Sequence, residues 1–583
     1  MGALTVSTPR DYTKSISDKG VKVVADTWDY ETDYLVVGTG AAGLSAAITA
    51  SRNGLDVILT ESMDKWGGTT AISGGGLWMP ANPLMHSDGI QDSIEEAYAY
   101  MEATIGNLGP WTSAERKRAF LTGIPSYMNM MSDEGVQWTR STDYPDYYPD
   151  IPGGKIGRAI EVKPFNTRKL GAYRKLMREG GVPLPLKTDD VWLIPRAWST
   201  PDGFIRGARF VFRTLGALIT GQAKVGMGGA LASSLMHVVR KRNIPVWLNS
   251  PLVDLIKEGD RVVGAVIEKD GTNVRVRAEK GVMLAAGGFA RNKQWRQKYH
   301  GIDGWSSAPD GQLGQGIEIG ERVGGYLAMM DDAWWGASTL VPGGEKGNFV
   351  LWERSFPWSV IVDQAGHRYL NESESYVDFG HDMIRHNKVT PSVPSWIIFD
   401  HRHTTRFLNQ TTMIPALKKQ LMKSGDIVTA KSLDALAKKM KIKGDVLGTT
   451  IERFNEFAHE GVDRDFGRGR TTYDNYYGNP LVHPNPNLGT IEKGPFTAIK
   501  VYLGDLGTKG GLVTDEFARV ITKNGDVIEG LYAAGNNTAS VMGHTYPGAG
   551  STIAPASVFG YIGALHAARP ADHPTKQWPL EAV

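Results

Sequence analysis

The sequence predicts an α/β fold in which a discontinuous domain, formed by both ends of the chain, carries an inserted α+β domain. Three observations support this prediction. An apolar, strand-like run followed by a glycine-rich turn lies near the start, and a second such run ending in glycine and asparagine lies near the end. The chain of 583 residues is also too long for one hydrophobic core.

The first element is the segment 33–48, DYLVVGTGAAGLSAAI. Its apolar run Tyr34–Val37 is typical of a buried parallel strand, and three glycines then complete the spacing G-x-G-x-x-G before a helical pattern. In such a turn the glycines permit the sharp bend, the approach of a pyrophosphate and the close packing of the helix. The turn therefore predicts a Rossmann-like domain that binds a dinucleotide through five residues: Gly38, Gly40, Ala41, Ala42 and Gly43.

The second strand-like run, Val57–Thr60, ends at Glu61, where dinucleotide-binding proteins carry an acid that accepts a ribose hydrogen bond. Two glycine-rich stretches follow, KWGGTT and SGGG, which an NAD site does not need. Together with the strand ends at 285–288 (AAGG) and 530–537 (GLYAAGNN), they indicate one FAD site. The further cofactor-binding residues predicted are Glu61, Ser62, Gly67, Gly68, Thr69, Thr70, Ser73, Gly74, Gly75, Ala286, Gly287, Gly535, Asn536, Ser551 and Ile553.

Composition narrows the class of protein. The chain has no cysteine, which excludes disulfides, thiolate metal sites and Fe–S clusters, so redox chemistry needs a cofactor. None of the 13 histidines forms a convincing metal pair, so no metal site is predicted. Without a secretory signal or an apolar run long enough to span a bilayer, the sequence predicts a cytoplasmic protein, and we expect no nucleic acid partner.

A basic insertion is predicted at about 151–224, with 14 Lys and Arg against 5 Asp and Glu. On a helical wheel one face of its segment 204–219 is apolar and the opposite face is basic. The apolar residues are Phe204, Ala208, Val211, Leu215, Leu218 and Ile219, and the basic residues are Arg206, Arg209 and Arg213. Two interpretations stay open: a helix packed on the protein with solvated arginines, or a helix lying on the anionic inner face of the cytoplasmic membrane.

Six motifs resemble the fumarate reductase and succinate dehydrogenase flavoprotein superfamily, and above all its 3-ketosteroid Δ1-dehydrogenases: GGTTAISGG, PDYYP, RYLNESESY, DLGTKGGLVTD, GLYAAGN and YPGAGSTI. The resemblance implies an FAD domain at 27–295 and 495–583, with a catalytic capping domain at 296–494. Members that bind FAD covalently use a histidine just before the threonine-rich turn. This chain has none there, so non-covalent FAD is expected.

The resemblance also implies the reaction, a 1,2-desaturation of a 3-keto-4-ene steroid in which the base takes a proton from C2 and flavin N5 takes a hydride from C1. A ketone α-proton is acidic enough only if hydrogen-bond donors stabilise the enolate oxygen. In the family a tyrosine and a glycine N–H do so, and they match Tyr546 and Gly550. The base matches Tyr376.

A second tyrosine assists the base in the family, and Tyr147 matches it, with Tyr144 and Tyr148 as alternatives. The expected partners are a steroid, which includes cholest-4-en-3-one because a membrane-bound insertion suits such a substrate, and an external electron acceptor such as a quinone. A Δ4-(5α)-dehydrogenase, a fumarate-type enoate reductase and a non-catalytic sterol carrier are the alternative functions.

Overall fold

A computed structural model describes residues 27–181, 183–302, 304–340 and 346–570. The predicted second part of the FAD domain ends at 583, so its last 13 residues lie outside the described residues. The α-helices of five or more residues among the described residues are Ala41–Arg52, Pro83–Ser87, Ile94–Ile105, Ala114–Asp133, Thr188–Leu193, Pro201–Ile219, Met227–Lys241, Gln315–Arg322, Tyr376–Asn387, His401–Arg406, Pro415–Ser424, Leu433–Met440, Gly444–Glu460, Thr472–Tyr476 and Ile553–Ala568.

An eight-stranded sheet forms the first core. Its strands, in spatial order, are Arg519–Ile521, Val527–Ala533, Thr272–Leu284, Tyr30–Val37, Val57–Thr60 and Val246–Trp247. The last five run parallel, as expected of apolar strands flanked by helices. Two further strands, Leu252–Glu258 and Arg261–Lys269, extend Thr272–Leu284 as an antiparallel meander. The predicted α/β fold class is confirmed.

The first and last helices of this domain pack side by side on the sheet. Ala41–Arg52 and Ile553–Ala568 contribute to one large buried cluster. They approach so closely that a Cβ on Gly560 would lie 2.4 Å from the carbonyl oxygen of Ala42. Segments near both ends of the described chain therefore form one unit, as the separated glycine motifs predict.

A second sheet of seven strands is built around the long strand Phe496–Thr508. Its strands, in order, are Gly347–Phe349, Ala333–Leu340, Phe496–Thr508, Ser395–Phe399 and Ser359–Val362, and Trp305–Ser306 and Ile427–Ala430 also pair with the central strand. The predicted domain boundary at 495 therefore does not coincide with the end of this sheet, which continues to Thr508. The sheet to which a strand belongs is decided by the strands that it pairs with. Because those strands are distant in sequence, no local sequence pattern predicts the pairing.

The helix Pro201–Ile219 of the basic insertion has an unexpected orientation. Arg206 and Arg213 turn toward the protein, where they face Asp189 and Asp190 of the helix Thr188–Leu193. The apolar side chains face outward, with exposed fractions from 46% for Leu215 to 85% for Ile219. The helix packs on the protein, but Arg206 and Arg213 are ion-paired rather than solvated, and of the three predicted basic residues Arg209 is the exposed one. Within the described ranges, no helix is both long enough and apolar enough to traverse a bilayer.

Candidate active site

The glycine turn lies where the first parallel strand ends. Gly38 has φ +106°, and a Cβ there would lie 2.3 Å from the Ala285 carbonyl oxygen. A Cβ on Gly43 would lie 1.9 Å from the Gly38 carbonyl oxygen. Gly40 is the N-cap of the helix Ala41–Arg52 and has no side chain to cap it, so the positive helix end stays open toward a ligand.

Glu61 lies at the end of the second strand, buried to 8% exposure. One carboxylate oxygen accepts hydrogen bonds from the backbone N and the hydroxyl of Thr39, at 3.2 and 2.5 Å. The other accepts from the Ser62 hydroxyl at 3.3 Å. The Thr39 hydroxyl in turn accepts from the Gly67 backbone N at 2.9 Å, so Thr39 joins the acid to the second glycine stretch.

The second glycine stretch, 67–76, folds over the first turn. The Thr70 hydroxyl accepts a hydrogen bond from the Ala41 backbone N at 2.9 Å, at the start of the helix. Gly75 has φ +71°, and a Cβ there would lie 2.2 Å from the Met227 carbonyl carbon. Gly67, Gly68, Thr69, Ser73 and Gly74 belong to the same loop.

Two more strand ends complete this region. Ala286 and Gly287 follow the strand Thr272–Leu284, and Gly535 and Asn536 follow Val527–Ala533. A Cβ on Gly535 would lie 3.4 Å from the Cβ atoms of both Ala42 and Ala556. Ser551 and Ile553 open the last helix, although the Ser551 hydroxyl bonds within its own turn, to Gly548.

The residues fit an FAD molecule. The N-termini of the helices Ala41–Arg52 and Ile553–Ala568 lack a side-chain cap, and both are suited to negative charge. The buried side-chain amide of Asn537 has no hydrogen-bond partner among the described residues. Polar groups of this kind are costly to bury unless a ligand satisfies them.

Three predicted catalytic tyrosines from distant segments meet in one buried cluster. The ring centroids of Tyr376 and Tyr546 are 4.7 Å apart, those of Tyr147 and Tyr546 are 5.2 Å apart, and those of Tyr147 and Tyr376 are 5.6 Å apart. Each side chain is 4–5% exposed. The structure thus brings together residues that are up to 399 positions apart in the sequence.

Gly550 lies beside this cluster in a conformation that suits only glycine. Its φ is +97°, and a Cβ there would lie 2.3 Å from the Gly76 carbonyl oxygen. Burial raises the pKa of Tyr546, and hydrogen bonds from the Tyr376 and Thr552 side chains and from the backbone amides of Gly550 and Thr552 partly offset that effect. The Gly550 N–H and the Tyr546 hydroxyl are therefore neighbours.

The neighbouring tyrosines have different surroundings. The Tyr144 hydroxyl lies 3.3 Å from that of Tyr147 and also bonds to Tyr477, behind the cluster. The Tyr148 hydroxyl accepts a hydrogen bond from the Tyr546 backbone N at 3.4 Å and so holds that loop. Among the described residues, Tyr147 is the one of these three whose ring contacts Tyr376. The geometry favours Tyr147 as the assisting residue.

Burial shapes the acidity of the cluster. It raises the pKa of Tyr376 and of Tyr147 well above that of a free phenol, and neighbouring phenols add to the effect. Tyr376 is the first residue of the helix Tyr376–Asn387, whose positive end favours negative charge nearby. A phenol here needs such help to act as a base at neutral pH.

One cluster has the composition of a metal site. Asp332 accepts hydrogen bonds from His381 and His544, each at 2.8 Å. The buried ammonium of Lys509 lies 3.4 Å from the same carboxylate. Burial alone would raise the pKa of Asp332, but Lys509 and the two histidines hold it well below its usual range. Because this lysine already compensates the carboxylate, a metal ion would have to displace it.

Sequence reasoning missed several residues of the region. Thr39 lies inside the glycine motif at a position the motif leaves free. Tyr473 and Tyr477 pack around the predicted tyrosines, and the density of tyrosine in YDNYY is the only local signal. Trp334 makes an edge contact with Tyr546, with centroids 5.4 Å apart. The contacts of Tyr473, Tyr477 and Trp334 join segments more than 200 residues apart, which no local spacing predicts.

Known proteins were compared with this chain. Residues 33–553 match the sequence model of the FAD binding domain family. The 3-oxosteroid 1-dehydrogenase of Mycolicibacterium smegmatis is 40% identical over 558 residues, covering 92% of this chain and 97% of that protein. The chain belongs to the 3-oxosteroid 1-dehydrogenase family. Its cofactor is FAD, and the predicted family and cofactor are confirmed.

Solved structures agree with this membership. The crystal structure of 3-ketosteroid Δ1-dehydrogenase from Sterolibacterium denitrificans, in complex with 1,4-androstadiene-3,17-dione, superposes with a TM-score of 0.87 at 35% identity, covering 92% of this chain and 99% of that one. The 3-ketosteroid Δ4-(5α)-dehydrogenase of Rhodococcus jostii RHA1 has a TM-score of 0.60 at 21% identity, covering 93% and 98%, and shows the shared fold alone.

Proposed function

We propose that this protein oxidises 3-keto-4-ene steroids to 3-keto-1,4-dienes with FAD as its cofactor. The observation that carries the proposal is the meeting of Tyr147, Tyr376 and Tyr546 in one buried cluster beside Gly550. In this arrangement two hydrogen-bond donors, the Tyr546 hydroxyl and the Gly550 N–H, lie close to the proposed base, Tyr376. The family relationship and the androstadienedione complex of the Sterolibacterium enzyme support the same reaction.

The Tyr546 hydroxyl and the Gly550 N–H hold the C3 carbonyl oxygen of the steroid. As the C2 proton leaves, negative charge moves to that oxygen, and fixed donors in a water-poor site stabilise it without reorganising. Each such donor contributes about 2.7–4 kcal/mol in comparable sites. The backbone N–H is fixed in place, since Gly550 is confined by Gly76 and has φ +97°.

Tyr376, as a phenolate, removes the C2 proton, and Tyr147 stabilises that phenolate beforehand and keeps the Tyr376 ring oriented. When bound, FAD supplies the acceptor for the C1 hydride at its N5 atom. Tyr376 then holds the proton until the network behind it passes the proton on. An external oxidant, for which we propose a membrane quinone, completes the cycle.

Membrane association of the helix Pro201–Ile219 belongs to this proposal. Seven large apolar side chains of this helix are exposed to solvent. Contiguous exposed apolar patches mark interaction surfaces. They are Phe204, Ile205, Val211, Phe212, Leu215, Leu218 and Ile219. Trp198, just before the helix, is 68% exposed and adds to the patch.

Basic side chains adjoin the apolar patch. Arg168 lies beside Gly221, near the C-terminal end of the helix. The segment Thr167–Leu176 carries four exposed basic residues, Arg168, Lys169, Arg174 and Lys175. Anionic headgroups attract such residues by about 1 kcal/mol each. We therefore propose a peripheral location on an anionic membrane and a substrate range that includes sterols with a C17 side chain, such as cholest-4-en-3-one.

The reaction is tested by mixing the holoenzyme anaerobically with androst-4-ene-3,17-dione or cholest-4-en-3-one and following the flavin absorbance. We expect bleaching and a product with new vinyl protons at C1 and C2 by NMR. Oxidation at C4 and C5 of a saturated 3-ketosteroid would instead identify the Δ4-(5α) activity. Oxidation of the pre-reduced flavin by fumarate or an acrylate, without any reaction with steroids, would identify the enoate reductase. Bound steroid without bleaching would identify a carrier.

A further inference from the structure

The buried side chain of Arg354 contacts the backbone just ahead of the helix that begins with Tyr376. The side chain of Arg354 is 0% exposed. Its two terminal nitrogens donate to the backbone carbonyls of Glu372 and Glu374, at 2.5 and 2.8 Å. Among the described residues Arg354 has no carboxylate within 4.0 Å, and its Nε has no hydrogen-bond partner. Neutral carbonyls hold this cation, so no direct ion pair cancels its charge.

The charge of Arg354 acts on the tyrosines behind the predicted catalytic cluster. Burial raises the pKa of Tyr473 and of Tyr477 well above the usual value, and the Arg354 guanidinium opposes that rise at both. The Tyr473 ring packs 4.3 Å from that of Tyr147, measured between centroids. A buried cation therefore lies where a phenolate would otherwise be costly.

These tyrosines are connected to the base. Tyr477 bonds to the Tyr144 hydroxyl, which lies 3.3 Å from the Tyr147 hydroxyl. Tyr147 contacts the Tyr376 ring at 5.6 Å between centroids. We call the connected set the phenol network: Tyr144, Tyr147, Tyr376, Tyr473, Tyr477 and Tyr546.

Other charged groups around Arg354 do not remove its effect. Burial raises the pKa of Glu353 to about 7, and it also raises the pKa of Glu374 and of Asp474, which favours their neutral forms. Glu372 is ionised, but it is compensated by Arg368 and Arg468. Next to the phenol network, Arg354 therefore makes no direct ion pair with the described residues, unlike Arg368 and Arg468.

We propose that Arg354 is a positioning residue whose buried positive charge stabilises the negative charge that the phenol network carries before Tyr376, as a phenolate, takes the C2 proton. This inference rests on the proposed function. No atom of Arg354 needs to touch the steroid, because its effect passes through Tyr473 and Tyr477. A nearby opposite charge favours the ionised form of such a group by about one to three pKa units, a 10- to 1,000-fold effect on the phenolate fraction.

The test compares wild-type holoenzyme with Arg354→Gln and Arg354→Lys. In each protein, 3,5-difluorotyrosine replaces Tyr477, so that the more acidic phenol titrates in an accessible range and is followed by ¹⁹F NMR. The pH profile of flavin reduction by androst-4-ene-3,17-dione is measured in the same three proteins without the label. FAD content and thermal midpoint show whether each variant is folded.

We expect Arg354→Gln to move the ¹⁹F titration and the reduction profile to higher pH together, with about 10- to 1,000-fold slower reduction at neutral pH. Arg354→Lys should recover most of both. An unchanged titration, or a loss of rate that is equal at all pH values, would overturn the proposal. A shifted titration in a protein whose flavin no ketosteroid reduces would refute the proposed function instead.

If Arg354→Gln does not fold, Tyr477→Phe provides the second test. This variant keeps Arg354 and its two carbonyl contacts but removes the hydroxyl that bonds to Tyr144. A shift of the reduction profile to higher pH would support the connection from the cation to the base. A wild-type profile would overturn it.

Discussion

Replacing two outward side chains of the helix Pro201–Ile219, Phe212→Ser with Ile219→Ser, tests how the protein meets a membrane. They are 74% and 85% exposed, so together they correspond to about one and a half fully exposed side chains. At about 1.5–3 kcal/mol for each large apolar side chain moved out of water, the pair contributes about 2–5 kcal/mol. That range corresponds to about a 30- to 4,000-fold change in partition if both enter hydrocarbon, and we expect at least a tenfold loss.

Sedimentation with liposomes of phosphatidylcholine and phosphatidylglycerol measures this partition for the wild type and the double variant. Val389→Ser is the matched control, because Val389 is 84% exposed but follows the helix Tyr376–Asn387. We expect the control to bind like the wild type, and reduction of dispersed androst-4-ene-3,17-dione to stay unchanged in all three proteins. Equal liposome binding by the double variant and the wild type would refute the membrane assignment of this helix.

Three further predictions concern the active site and its support. In Gly550→Ala the new Cβ would lie 2.3 Å from the Gly76 carbonyl oxygen at φ +97°, so the donor must shift; we expect about 10²–10³-fold slower flavin reduction in stopped flow with FAD retained, and a wild-type rate would contradict the donor role. Because burial raises the pKa of Tyr376, its phenolate fraction grows with pH, and we expect the reduction rate to rise from pH 6 to 10 in the wild type but to stay flat and low in Tyr376→Phe. Arg158→Met leaves two buried carboxylates, those of Asp92 and Asp146, without their partner, and should cost about 3–5 kcal/mol in unfolding by denaturant; a loss below 1 kcal/mol would count against this account of the buried network.

Local chemistry made the dinucleotide turn predictable. The conformations of Gly38 and Gly43 are imposed by backbone atoms that approach within 2.3 Å of where a Cβ would be, so sequence spacing alone carries the signal. Thr39 is different, because its role depends on Glu61 and Gly67, which the fold brings together. A sequence motif predicts the turn, but it does not predict which residues the fold brings to the turn from elsewhere in the chain.

The helix Pro201–Ile219 of the insertion shows what its amphipathic sequence pattern leaves undecided. The wheel groups the large apolar side chains that prove to be exposed, but it does not say which side of the helix the rest of the protein covers, and Arg209 of its basic face is exposed as well. Asp189 and Asp190 decide this by drawing Arg206 and Arg213 inward. Likewise, the ladder partners of Phe496–Thr508 assign that strand to the second sheet, beyond the predicted boundary at 495.

Family resemblance placed Tyr147, Tyr376 and Tyr546, and the structure brings them together. It did not point to Arg354 or Tyr477, because both act through contacts between segments that are far apart in sequence. Buried charges without a direct counter-ion are visible only once burial is known.

The most direct measurement of the central claim separates proton removal from hydride transfer. Holoenzyme whose flavin has been reduced beforehand is incubated anaerobically with androst-4-ene-3,17-dione in D₂O, and deuterium at C2 is followed by NMR. The account predicts rapid exchange at C2 in the wild type and none above background in Tyr376→Phe. Exchange at the wild-type rate in that variant would contradict the assignment of the base.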